Sequence, residues 1–142
     1  MVESNPIQSD VYPSLTYDDA PGAIEWLCEV FGFKKRLVVA GEGNLVVHSE
    51  LSFGNAVVMV SSPKPDVNRV SPRHLRGVAQ TLSLFTADPG AHHDAAVAAG
   101  AVVMRPLQTE SFGARGYMVR DPEGHVWYFS DYRPGAFWED GS

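Results

Sequence analysis

The chain has 142 residues, of which 44% are hydrophobic and 20% charged, with a net charge of −6 and a single cysteine. That length supports one compact core and leaves little room for a second, and the lone Cys28 excludes an intrachain disulfide. The acidic balance excludes a nucleic-acid surface, which needs a dense cationic face; no apolar run approaches a membrane span and no basic segment precedes an apolar one, so a cytoplasmic location is expected.

The first predicted element is a strand over residues 11–17, where Val11, Leu15 and Tyr17 alternate with Tyr12, Ser14 and Thr16. A helix over 22–31 follows, with an acidic start, a Pro near its first turn and Gly32 at its end. Ile24, Leu27, Cys28 and Phe31 fall on an i, i+3, i+4, i+7 stripe, which makes Cys28 a packing thiol. Strands over 33–39, 45–51 and 56–61 complete a module, the last two joined by a Gly-containing turn. On them Val47 and Leu51 face away from His48 and Glu50, and Val58 and Val60 away from Met59 and Ser61.

Residues 63–77 form a Pro-rich linker carrying Lys64, Arg69, Arg73 and Arg76 against Asp66. It reads as a solvated connector, with an anion-binding lid as the alternative. The earlier pattern then repeats: a strand over 79–86, a helix over 89–99, and strands over 102–107, 116–120 and 126–132. Asp88 can cap the second helix, Pro89 suits its first turn and Gly100 its left-handed exit. The fold class is therefore α+β, a single domain over 1–142 built of two βαβββ modules at about 10–62 and 78–133. His92, His93 and Asp94 sit mid-helix among alanines and are expected on an exposed face, and adjacent histidines about 100° apart cannot chelate together. His125 is expected to pack or bond locally after its turn. The segment from Gly135 to Ser142 reads as a tail whose Phe137 and Trp138 either hang free or dock onto a partner subunit or the cleft.

One sheet face is uniformly oily and suits the helices. The other gathers hydroxyls, several rings, His48, Glu50, Met118 and Arg120, which is the mixture of a small-molecule cleft rather than a Lys- and Glu-rich solvated face. His48 and Glu50, two apart on one strand, share a face and can pair as acid and base. Alternatively they hydrogen-bond within a polar cleft, with Arg120 neutralising Glu50. No nucleophile-turn triad, phosphate loop or zinc-type cysteine spacing occurs.

Three features carry a family resemblance: the paired modules, the segment Asp19-Ala-Pro-Gly-Ala-Ile-Glu-Trp-Leu-Cys-Glu-Val-Phe-Gly-Phe33, and the segment from Arg115 to Trp127 with its Asp-Pro-Glu-Gly-His turn. From about Val11 to Arg133 the chain resembles the vicinal-oxygen-chelate superfamily of glyoxalase I, bleomycin-resistance proteins and extradiol dioxygenases. The resemblance implies a curved mixed sheet around a cleft, helices on the outer face, and a homodimer. It also implies four metal-ligand positions, at the starts of the first strands and on the last strands of the modules, which fall on Tyr12, Met59, Thr81 and Tyr128. None is a good divalent-metal ligand, because such cations prefer carboxylates and imidazoles. A one-residue slip admits Gln80 but turns that strand's oily residues into the cleft.

Two functional classes follow. In one, a metal-free binding module without cofactor closes around an aromatic or amphipathic small molecule. Tyr12, Phe85, Phe112 and Tyr128 supply aromatic surface, Ser14 and Thr81 hydroxyls, and His48, Glu50, Arg115 and Arg120 directional contacts. The acidic chain suits a cationic guest, with cation–π attraction of roughly 0.5–2 kcal/mol per ring. In the other, a glyoxalase-like lyase, isomerase or dioxygenase uses His48 and Glu50 or a divalent metal at an atypical site.

Overall fold

The computed structural model describes residues 9–138. The first module comprises β1 (Ser14–Thr16), α1 (Ala20–Trp26) running into a π-helical turn (Leu27–Phe31), β2 (Lys34–Ala40), β3 (Val46–Phe53) and β4 (Ala56–Ser61). The second comprises β5 (Leu82–Phe85), α2 (Pro89–Ala98), β6 (Val102–Thr109), β7 (Arg115–Arg120) and β8 (Val126–Ser130). Each module folds into a four-stranded sheet, ordered β1-β4-β3-β2 and β5-β8-β7-β6, with the first strand parallel to the last and the others antiparallel. The α+β duplication expected from the sequence is the architecture.

The helix boundaries follow local chemistry. Asp19 and Asp88 accept bonds from the backbone N–H of Gly22 and Ala91, satisfying donors that have no partner inside the helix. The π-helical turn stops at Gly32, whose φ of 89° is the left-handed exit that costs only glycine nothing. Several strands differ from expectation. β1 begins only after Pro13, which lacks a ladder N–H, and β6, whose Pro106 is tolerated because β6 is an edge strand, runs on past the expected end at residue 107 to Thr109. In the first module Val46 is buried and Val47 is 48% exposed, the reverse of the expected facing. A register shift between Val39 and Ala40 causes this by slipping the end of β3 by one residue.

Each helix covers one face of its sheet and leaves the other open. The two covered faces meet in one core, where Phe31 packs on Trp127 and Phe129, Phe33 on Trp127, and Phe53 on Phe129, with ring centroids 4.9–5.6 Å apart. Burial of each such ring contributes roughly 1.5–3 kcal/mol. Because the covered faces share this core, the open faces are turned away from it.

The Asp121-Pro-Glu-Gly turn between β7 and β8 is the polar joint between modules. One Asp121 oxygen accepts the backbone N–H of Glu123, Gly124 and His125; the other accepts the Tyr17 hydroxyl at 2.6 Å and the Trp127 indole at 3.0 Å. Glu123 accepts the N–H groups of Asp18 and Asp19 at the start of α1 and the hydroxyl of Ser71. His125 packs as expected and its backbone N–H stays within the turn on Asp121, but its buried side chain reaches further, with Nε2–H donating to Thr16 O on β1 at 3.0 Å. The Tyr17 hydroxyl is held well above its ordinary pKa, by burial first and the Asp121 carboxylate second.

His92 forms the apolar counterpart of this joint and corrects the expectation of an exposed helix face. Its Nε2–H donates to Phe31 O at 2.8 Å, so Nδ1 accepts from the Tyr117 hydroxyl at 2.7 Å, and its ring stacks on Phe129 at 4.1 Å. Phe53, at the β3–β4 turn, meets it edge-on. The ten-residue helix pattern, rich in alanine, gives no amphipathic stripe from which a buried histidine can be read. His93 lies beside Asp94 at 2.9 Å.

The linker is also more ordered than a solvated connector. Two short 3-10 turns, Pro65–Val67 and Pro72–His74, fold it against the modules, and Ser71 is fully buried. Lys64 donates to Val47 O, Arg69 to the Ser14 hydroxyl, and Arg73 and His74 lie against Asp18. The charges of Lys64, Arg69 and Arg73 are thus spent holding the fold. Cys28 packs against the core as expected, and burial raises its thiol pKa.

Candidate functional site

On the second sheet the open face alternates with the core positions Tyr117, Val119, Trp127 and Phe129, so Gly116, Met118, Arg120, Val126, Tyr128 and Ser130 face outward. Tyr128 lies across this face and donates to Glu110 at 2.6 Å. Only glycine at 116 allows that, because a Cβ there would stand 2.5 Å from the tyrosine hydroxyl and 2.8 Å from Ser130 Cβ. A register shift in β6 between Val103 and Arg105 brings the Arg105 guanidinium to the same face. There it grips Glu110 through both nitrogens and sits 5.6 Å from the centre of the Tyr128 ring. The Tyr128 and Arg105 bonds hold the Glu110 carboxyl below its ordinary pKa, while burial and Glu110 push the Tyr128 hydroxyl up.

Arg105 and Glu110 were not read as site residues from the sequence. A one-residue strand irregularity decides which face Arg105 takes, and no alternation rule anticipates it. The signal that could have found them was Gly116 within a strand, which marks a close approach of another group.

On the first sheet, His48 and Glu50 are brought together as expected, with Nε2 and Oε2 2.9 Å apart and both side chains about 40% exposed. Arg36 donates to Ser52 beside them at 2.8 Å. Arg120 lies on the other sheet and does not neutralise Glu50. Tyr12 and Ser14 are exposed at the β1 edge, and the Met59 N–H donates to Pro13 O alongside. Thr81 just precedes β5.

Among the described residues, cavities border the second module in two places. One, of about 530 Å³, lies between the linker end and the open face and is lined by Thr81, Met104, Arg120 and Val126, with Arg76 from the linker. The other, of about 500 Å³, is lined by Phe85, Phe112, Tyr132, Arg133 and Phe137. There the Arg133 guanidinium sits 3.6 Å above the Phe85 ring, so the aromatic surface already holds a cation of the chain's own. Phe137 borders this cavity while remaining 82% exposed, and Trp138 is 61% exposed; the rest of the expected tail, Glu139 to Ser142, lies outside the described residues. Arg115 belongs to neither cavity. It shares the helix-facing side with Tyr117 and Val119 and lies beside Gly90 at the start of α2, which corrects its expected place in the cleft.

A divalent metal fits these faces poorly. Tyr12, Met59, Thr81 and Tyr128 offer phenols, a thioether and an aliphatic hydroxyl, and among the described residues no three His, Cys, Asp or Glu side chains converge. The nearby carboxylate, Glu110, is already shared by Arg105 and Tyr128.

With this geometry the fold and its relatives agree. Residues 11–129 match the Glyoxalase/Bleomycin resistance protein/Dioxygenase superfamily, and the chain belongs to it. Its structure is similar to the crystal structure of TioX from Micromonospora sp. ML1, with 34% identity, a TM-score of 0.72, and coverage of 89% of this chain and 100% of that one. Lactoylglutathione lyase from Agrobacterium tumefaciens shares the fold at 18% identity and a TM-score of 0.63, covering 89% and 95% of the two chains. In sequence, the uncharacterized protein Rv0887c of Mycobacterium tuberculosis is 29% identical over 124 residues, 85% of this chain and 73% of its own. Among the described residues no helix is long and apolar enough to cross a membrane.

Proposed function

We propose that this protein binds an aromatic or amphipathic small molecule on its open sheet faces without a metal, as a homodimer in which a second copy completes each cleft. The donor set carries this reading: the four ligand positions that the family resemblance implies fall on Tyr12, Met59, Thr81 and Tyr128, and Glu110 is committed to Arg105 and Tyr128. Such a face supplies rings, a thioether and hydroxyls, which suit packing and directional hydrogen bonds rather than Lewis-acid chemistry. Dimerisation is supported by the outward direction of both open faces and by exposed apolar side chains at their edges, among them Leu37, Val39, Val102 and Met104.

A second reading rests on the 2.9 Å contact between His48 and Glu50, which is within proton-transfer reach. In it the pair is the acid and base of a glyoxalase-like lyase or isomerase, and binding by the second sheet positions the substrate.

Saturation-transfer NMR against a panel of aromatic acids, amides and amines, repeated with EDTA, separates the two. Chelator-insensitive binding with no chemical turnover is the expected result. Turnover that H48Q abolishes while binding persists replaces the first reading with the second.

A further inference from the structure

The net charge of −6 suggests a cationic guest, but charge at the cavity is local. Of the linker's basic residues, Lys64, Arg69, Arg73 and His74 are held by Val47 O, the Ser14 hydroxyl and Asp18. Arg76 is the remainder. It lines the 530 Å³ cavity together with Arg120 of β7, and among the described residues neither guanidinium has a hydrogen-bond or ion-pair partner. The nearest acids in sequence do not answer them. Asp121 and Glu123 are buried, and their oxygens are taken by Tyr17, Trp127, Ser71 and backbone N–H groups of the joint.

The same cavity is lined by Thr81 and Gln80, which are neutral and polar, and by Met104 and Val126, which are apolar. A guanidinium is a planar fork of donors that matches the oxygens of a carboxylate or phosphate. We infer that this cavity is an oxyanion subsite: Arg76 and Arg120 hold the carboxylate or phosphate of an amphipathic ligand whose apolar body lies on Met104 and Val126. The inference rests on the binding-module reading and gives its ligand a charge. The basic linker thereby has two roles, its first part clamping the modules and its end presenting Arg76 to the ligand.

The test is isothermal titration of the full chain with 2-naphthoate, 2-naphthyl phosphate, 2-naphthamide and 2-naphthylmethylammonium, for the native protein, R76Q, R120Q and the double variant. Both arginines are exposed, so unchanged melting temperatures are expected and verify that the variants fold. The naphthoate or the phosphate binds the native protein at least about ten-fold more tightly than the amide, and each substitution removes roughly ten-fold of that preference. The preferred arm tells a carboxylate site from a phosphate site. R76K and R120K, which keep the charge but lose the fork, retain part of the preference. Equal or tighter binding of the amide or the ammonium overturns the oxyanion subsite and leaves the binding module standing. Binding of none of the four, with stabilisation by divalent metal instead, overturns both.

Discussion

Replacing Asp121 by Asn removes one charge and almost no volume, so its effect isolates what the carboxylate does at the module joint. The carboxylate accepts five hydrogen bonds while only 3% exposed. If the Asn carbonyl keeps the three backbone donors, its amide nitrogen is left facing the Tyr17 hydroxyl and the Trp127 indole N–H. The hydroxyl can rotate to accept, but the indole cannot, so one donor-to-donor conflict and one weakened bond remain. Hydrogen bonds to charged groups contribute about 1.5–3 kcal/mol each, and relief of carboxylate burial returns part of this, giving a net loss of about 3 kcal/mol. For a chain of 142 residues that lowers the melting temperature by on the order of 10 °C. Urea denaturation followed by tryptophan fluorescence reads the loss directly. A change below about 1 kcal/mol would refute the argument that this turn ties the modules through its carboxylate.

Three further outcomes are expected. Burial lowers the His92 pKa, so its protonation favours the unfolded chain: its contribution to stability is complete above the unfolded value and is lost as pH falls toward the folded one. Between pH 7 and 5 the urea midpoint of the native protein therefore falls more steeply than that of H92Q, and parallel slopes contradict the assignment. G116A forces Tyr128 off Glu110, costing about 1–3 kcal/mol and weakening ligand binding on that face; a crystal structure with the tyrosine unmoved and stability unchanged contradicts the close-approach argument. H48Q and E50Q, at partly exposed positions, leave stability unchanged in calorimetry and solution mass unchanged in light scattering, and loss of folding in either shows the pair to be structural.

The modules, helix caps and terminal glycines were legible because they follow from local chemistry. Asp19, Asp88, Gly32 and Gly100 stand where helix termini need them, and strand alternation separated His48 and Glu50 from Leu51. What failed to show was set by long-range packing. The Asp121-Pro-Glu-Gly-His segment is conspicuous as a turn, yet nothing local tells that Glu123 caps a helix more than a hundred residues earlier in the chain. His92 was misplaced because alanine neighbours give a helix no apolar face to read, and Arg115 because the expected cleft paid no regard to the pleat it shares with Tyr117. Arg105 and Glu110 depend on a register shift that period-two reasoning steps over. Lys64, Arg69, Arg73 and His74 looked free in sequence because their acceptors, a backbone carbonyl, a serine and Asp18, lie in the first module.

Binding without a metal is tested by elemental analysis of protein purified without affinity tag or chelator, paired with thermal denaturation across divalent metals and aromatic acids. Metal well below one equivalent is expected, with a melting temperature unmoved by metals and raised by the aromatic acid. Near-stoichiometric metal with a metal-dependent rise in melting temperature contradicts it and redirects attention to His48 and Glu50.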